Sequence, residues 1–255
     1  MDKNFPWSIK YDPNSKKPFI MSRSKIDLYL KCKRCAYLDM RLGIKAPKPF
    51  PYNLNSRIDT LLKNEFDIAR KNKEQTIYQK EANINAIPFS HPELDVWREP
   101  FKAARFHHKD TNITVAGSVD DLWENLDTKK LSVVDYKSTF SENFDKIKSF
   151  DAPYLIGYKR QAQIYSWILS KLELEIDNTS YFFYVNAKPD QEIFNNSLEF
   201  EWAIIPYTTE SYNWVGDTIV EIKNFLETNK IPSSTQDCAL CKYMGKFFDF
   251  IKKKN

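Results

Sequence analysis

Histidine and glycine are scarce in this chain, and long apolar runs are missing. There are 3 histidines and 5 glycines in 255 residues. Hydrolysis with a histidine base would need His91, His107 or His108 beside an acid. His107 and His108 fall at the end of an expected strand and read as surface residues. The low glycine count, with abundant Asn and Lys, is what codon bias in an AT-rich genome produces, so no function is drawn from it. No Gly-x-x-x-x-Gly-Lys-Ser/Thr loop is present, so ATP-driven unwinding would need a partner. No segment approaches the roughly 20 apolar residues that span a bilayer. Met1 to Lys10 lacks an apolar core of signal-peptide length, so the reading is a cytoplasmic protein without a membrane partner. Internal repeats and low-complexity linkers are also missing. Cysteine is limited to 4 residues, which fall in two Cys-x-x-Cys pairs, Cys32/Cys35 and Cys238/Cys241. In a reducing compartment such pairs read first as metal ligands rather than disulfides.

What is present is an ordinary globular composition with a net charge of +4, compatible with a nucleic-acid partner. The length supports one sizeable core or two small ones. We read a single domain over residues 1–255, with its core at about 55–206 and flanking segments, 22–45 and 209–250, that carry the cysteine pairs. Met1 to Ile20 reads as irregular. Ser22 is placed to cap a helix to about Leu38. Ala46 to Pro51, with three prolines, reads as extended loop. Asn55 or Ser56 opens a longer helix to about Lys71, with Ile58, Leu61, Leu62 and Phe66 on one side. Strands are expected at Phe101–His107, Ile113–Glu124 and Leu131–Ser138, the last two joined by a polar hairpin turn. A helix at Pro153–Leu172 follows, then strands at Ser180–Ala187 and Leu198–Ile205, then an amphipathic helix at Thr209–Thr228. The aromatic run Tyr181 to Tyr184 reads as core and sheet face, and Lys252, Lys253 and Lys254 as a solvated tail. The order implies a mixed α/β core with one sheet.

The chemistry concentrates on the hairpin. Residues two apart in a strand share a face, so Asp135 and Lys137 point one way and Val134 and Tyr136 the other. The hairpin brings Asp120 beside Asp135. An Asp-x-Lys on a strand is common on solvated sheet faces. Here Val133 and Val134 lead straight into it, which marks a buried strand where a carboxylate needs a partner or a metal. Two carboxylates suit a hard cation such as Mg²⁺ or Mn²⁺, with water and phosphate oxygens completing its shell. Lys137 would orient or help deprotonate an attacking water and offset charge on a phosphate.

Gly117-x-x-Asp120, Val-Val-Asp135-Tyr-Lys137 and Gln161-x-x-x-Tyr165 together resemble the PD-(D/E)XK nuclease superfamily, and within it the RecB-like branch of recombination and CRISPR-associated exonucleases. The resemblance covers about Ser22 to Tyr243. It implies a restriction-endonuclease-like core of order α-β-β-β-α-β, one mixed sheet flanked by helices. It also implies that Gln161 and Tyr165, one helical turn apart, approach the catalytic centre and position the DNA strand or Lys137. The backbone carbonyl of Tyr136 would complete the metal shell of Asp120 and Asp135. The branch has a Gly-x-x-x-His metal ligand on its first core helix. This chain reads Asn55-Ser56-Arg57-Ile58-Asp59 there, so Asp59, or Glu65 further along, would replace the histidine.

Ser22-x-Ser24 through Cys32-Lys-Arg-Cys35 resembles the N-terminal element of the branch members that carry an iron–sulfur cluster. Those give one cysteine here and three from the C-terminus. This chain gives two and two, with Cys35 compensating for a position lost near Lys246 to Phe248. Cys32, Cys35, Cys238 and Cys241 would bind a [4Fe–4S] cluster, with Zn²⁺ as the alternative that four thiolates suit equally well. The function expected is metal-dependent hydrolysis of DNA, single-stranded or at duplex ends, as an exonuclease in repair, recombination or CRISPR-type processing, with a helicase or such a complex as partner. The alternatives are a catalytically inactive nucleic-acid-binding module that keeps the cysteine site, and a zinc-stabilised structural subunit of a larger complex.

Overall fold

The structure is a computed structural model and describes residues 10–47 and 52–254. The expected loop at Ala46 to Pro51 and the irregular start therefore lie partly outside the described residues. In chain order the elements are β1 (Phe19–Ser22), α1 (Arg23–Lys31), α2 (Lys33–Met40), α3 (Asn53–Asn72), α4 (Ile77–Glu81), β2 (Ala86–Pro88), α5 (Leu94–Arg98) and β3 (Ala104–His108). Then follow β4 (Ile113–Gly117), β5 (Asp121–Asn125), β6 (Leu131–Phe140), α6 (Asp145–Lys148) and α7 (Ile156–Ser170). The chain ends with β7 (Thr179–Ala187), β8 (Phe200–Thr208), α8 (Trp214–Glu227) and α9 (Ala239–Lys254). No helix among the described residues is long and apolar enough to cross a membrane.

The fold is mixed α/β, with two sheets rather than one. The chain forms two compact units, one of residues 50–106 and 117–213, the other of residues 1–49, 107–116 and 214–255.

The first of these holds a five-stranded sheet of order β2-β5-β6-β7-β8, mixed because β6 and β7 are parallel and the other pairs antiparallel. Alternation along β7 divides its side chains between two layers. Phe183 and Val185 join Val134 and Tyr136 of β6 beneath α3, where Leu62 and Phe66 pack. Phe182 and Tyr184 face α7 and Ala162. The buried positions Leu62, Phe66 and Ala69 recur at helical spacing on α3, which is why this stretch forms an amphipathic helix. Phe66 stacks on Trp123 at 5.3 Å between ring centroids. Burial of such a side chain contributes about 1.5–3 kcal/mol. α3 ends at Lys73, whose φ of 55° is left-handed and whose N–H closes onto Ala69 and Arg70.

Two sequence expectations are corrected in this region. The first strand of the hairpin sheet is β2, not Phe101–His107, which overlaps β3 and so belongs to the other sheet. Ile113–Glu124 is also not one strand. It breaks at Ser118–Asp120, leaving β4 in the small sheet and β5 in the large one.

The second unit has a small sheet running β1-β4-β3, to which β3 gives His107 and His108; β1 and β4 are parallel. Val215, Ile219, Ile222 and Leu226 bury one face of α8. Phe225 meets the rings of Tyr29 and Tyr37 edge-on at 5.1 and 5.6 Å. The single helix expected from Ser22 to Leu38 is two. Cys32 is extended (φ −156°, ψ 107°), ending α1 and capping α2. Lys252, Lys253 and Lys254 form the last turn of α9 rather than a tail.

Candidate metal and acidic sites

The two cysteine pairs meet. All four Sγ atoms lie within 4.8 Å of one another. Cys32 to Cys241 is 3.9 Å, and Cys35 is 3.5 Å from both Cys238 and Cys241. The break at Cys32 puts it at the cap of α2 and Cys35 in the first turn, so both thiols leave one helix end. Cys238 and Cys241 leave the start of α9, where the Lys242 N–H closes onto the Cys238 carbonyl at 3.0 Å. Thr235 anchors the approach by donating to the Lys31 carbonyl at 2.7 Å. Burial pushes the Cys32 thiol up, but hydrogen bonds from Thr235 and the Cys35 backbone outweigh it and bring its pKa down to about 6. Burial pushes Cys241 up to about 11 and Cys35 up as well. Four convergent thiols, two of them buried, are a set that could hold a metal ion.

The acidic site lies in the other unit. The pairing of Asp121 with Val134 puts Asp120 and Asp135 at facing ends of the β5–β6 ladder. Asp120 is fixed there on one side, since its Oδ2 accepts from the Tyr136 N–H at 3.0 Å. Asp135 is 1% exposed, and its Oδ1 accepts from Gln161 Nε2 at 2.7 Å. Lys137 pairs with the other oxygen of Asp135. Its ammonium also sits over the Tyr158 ring at 4.8 Å. Burial favours the neutral amine of Lys137, but the Asp135 and Asp120 carboxylates outweigh it and hold the pKa above the usual lysine value.

Tyr165 lies on the same network. Its hydroxyl accepts from Gln161 at 3.2 Å, and its ring lies against Gly117. A Cβ at Gly117 would stand 2.5 Å from Tyr165 Cε1, so the glycine of the Gly-x-x-Asp segment is where the ring needs space.

Asp59, on α3, is linked to Asp120 through the Lys63 ammonium. Glu65 is not: its carboxylate accepts from Tyr78 at 3.2 Å, on another side of the helix. Asp59, Lys137, Asn55, Ser138 and Tyr158 line a cavity of about 190 Å³. A larger hollow, about 590 Å³, lies at Glu142 to Lys148 and Lys188 to Asp190, and holds none of the expected site residues. The histidines are elsewhere. His91 stacks on Trp97, and His107 and His108 bond to Thr114 and Thr111.

Three features were not read from the sequence. Lys63 bridges Asp59 and Asp120, at 2.8 and 3.0 Å. Burial pushes the Asp59 carboxyl up and Asp120 adds to this, while Lys63 opposes it without reversing it. Burial lowers the Lys63 pKa, but Asp120 and Asp59 more than reverse that. Second, fully buried Asp121 is held by Arg70 at 2.6 Å, Arg98 at 3.2 Å and the Tyr136 hydroxyl at 2.7 Å. Arg98 also donates to the Asp120 carbonyl at 2.9 Å, fixing the backbone of the acidic residue. Third, the buried Tyr184 hydroxyl, beside Lys137 in register, makes no hydrogen bond among the described residues. The i, i+4 spacing of Asp59 and Lys63 was the available signal for the first.

Asp59, Asp120 and Asp135 do not converge as the thiols do. Among the described residues the four cysteines are the one such cluster of three or more ligand-type side chains. Each acid is instead turned to a lysine. No protein-family model matches the chain, and no curated protein matches it.

Proposed function

We propose that the chain is a Mg²⁺- or Mn²⁺-dependent nuclease of RecB-like type that hydrolyses DNA phosphodiesters. The observation that carries this reading is the polar network in which Lys63 links Asp59 of α3 to Asp120, while Gln161 of α7 and Lys137 hold Asp135 beside it on β6. The order α3-β2-β5-β6-α7-β7 also agrees with the α-β-β-β-α-β order of a restriction-endonuclease-like core.

The donor chemistry suits a hard cation: the carboxylates of Asp120, Asp135 and Asp59, with the Tyr136 carbonyl, would hold it once their lysine partners give way. Such an ion, when bound, polarises the phosphate and lowers the pKa of a bound water. The chain's own residues do the rest. The Tyr136 N–H fixes one oxygen of Asp120 and leaves the other to face the site. Gln161 holds Oδ1 of Asp135 and so orients its carboxylate. Lys137, held protonated, offsets negative charge on the scissile phosphate, and α3 and Tyr158 line the cavity beside it.

For the thiols we propose a single tetrahedral Zn²⁺. Zn–S bonds of about 2.3 Å would place thiolates about 3.8 Å apart; three of the thiol pairs stand 3.5 to 3.9 Å apart and all lie within 4.8 Å. A [4Fe–4S] cluster carries its thiolates on four separate irons and would hold them farther apart. Zinc here is structural, joining the α2 end to the start of α9.

A second reading, a nucleic-acid-binding module without hydrolysis, is favoured by one observation: Lys63 lies where a cation bridging Asp59 and Asp120 would lie. Cleavage of labelled DNA in Mg²⁺ separates the two. The nuclease reading expects cutting that EDTA and Asp135→Asn abolish. DNA binding without any cutting supports the module.

A further inference from the structure

We infer that Lys63 is the resident counter-ion of the acidic site, and that a divalent cation binds by displacing its ammonium from Asp59 and Asp120. The inference rests on the proposed metal site and adds the residue that sets its affinity.

Four observations lead there. Asp120 has one oxygen committed to the Tyr136 N–H at 3.0 Å, so Oδ1 is the oxygen free to ligate, and Oδ1 is the atom that Lys63 holds at 3.0 Å. The same ammonium holds Asp59 Oδ2 at 2.8 Å, so one cation bridges both candidate ligands. Lys63 also stands one helical turn after Asp59 on α3, which holds its stem in place whatever Asp120 does. The ammonium is a compact charge on a flexible four-carbon stem, and 19% of the side chain is exposed, so it has a way out toward solvent.

The physical consequence is competition. A divalent ion and an ammonium cannot share the same two oxygens, and two like charges a few ångströms apart repel. Removal of the ammonium leaves two neighbouring carboxylates uncompensated, which strengthens their hold on Mg²⁺ or Mn²⁺. Metal affinity in this protein is therefore set by exchange against an internal cation.

The experiment is a Mn²⁺ titration followed by electron paramagnetic resonance, on wild type, Lys63→Ala and Lys63→Met. Asp120→Asn serves as the site control, and circular dichroism checks the fold. Lys63→Met keeps the apolar stem, so a folding defect of the alanine variant is separable from the loss of charge. The expected result is a Kd for Mn²⁺ at least about tenfold tighter in both lysine variants, the factor that corresponds to about 1.4 kcal/mol, with the site lost in Asp120→Asn. Binding to the variants but not to wild type also supports displacement by Lys63, while it overturns the nuclease reading. Equal or weaker binding in the lysine variants, with wild type binding normally, overturns the inference and leaves the metal site standing. No Asp120-dependent binding in any of the proteins overturns both.

Discussion

Gln161 reaches from α7 to the buried end of β6 and donates to Asp135 Oδ1 at 2.7 Å. The same amide nitrogen lies 3.2 Å from the Tyr165 hydroxyl, which links Asp135 to the ring against Gly117. The Gln-x-x-x-Tyr pair therefore joins Asp135 to α7, with Gln161 in hydrogen-bond contact with both the acid and Tyr165.

Removal of that orienting bond should slow the chemistry more than it weakens DNA binding. We expect Gln161→Leu to lower kcat by roughly 10- to 100-fold, as outer-shell changes at metal sites do, with KM for DNA nearly unchanged. Steady-state kinetics in Mg²⁺ checks this. An unchanged kcat would show that Asp135 does not need the glutamine.

Gly117→Ala should destabilise the fold. Its Cβ would meet Tyr165 Cε1 at 2.5 Å and Cδ1 at 2.6 Å. Overpacking of this kind costs about 1–3 kcal/mol. Urea denaturation of Gly117→Ala, Tyr165→Ala and the double variant measures the coupling. The account expects the tyrosine truncation to relieve most of the glycine defect, and simple additivity would contradict it.

Asp121 is expected to matter more for stability than its neighbour Asp120. It is fully buried between Arg70 and Arg98 and accepts from Tyr136. Truncation of one partner in a buried ion pair costs about 3–5 kcal/mol. Asp121→Ala should therefore fail to fold or melt far below wild type, while Asp120→Asn melts near it. Thermal melts followed by circular dichroism compare the two.

The cysteine site makes a prediction about metal removal. Cys35 touches both Cys238 and Cys241, so Cys35→Ser should lose the ion and lower Tm. Metal analysis of purified protein is expected to give about one zinc for four thiols. A brown, iron-rich protein would instead establish the cluster, and neither metal at stoichiometric level would remove the site.

Much of this was legible in the sequence because it follows short periods. The two-residue alternation of β6 separates Asp135 and Lys137 from Val134 and Tyr136, and the two faces are where that alternation puts them. The four cysteines announced their own meeting. What escaped depends on tertiary context. β2 is three residues ending in Pro88, too short and too weakly β-like to compete with the aromatic stretch at Phe101–His107. Strand propensity alone could not say that β4 and β5 enter different sheets on either side of Ser118–Asp120. The bridge from Lys63 to Asp120 joins residues from α3 and the β5 end, and no local pattern records it.

The most direct test of the account is single-turnover cleavage of end-labelled DNA by the purified protein in Mg²⁺, beside Asp120→Asn, Asp135→Asn and Lys137→Ala variants shown to be folded. The account predicts Mg²⁺-dependent cutting by wild type and loss of at least about a hundredfold in each variant, with DNA binding retained. Absence of cutting by wild type in Mg²⁺ and in Mn²⁺, or cutting that survives in Asp135→Asn and Lys137→Ala, would contradict it.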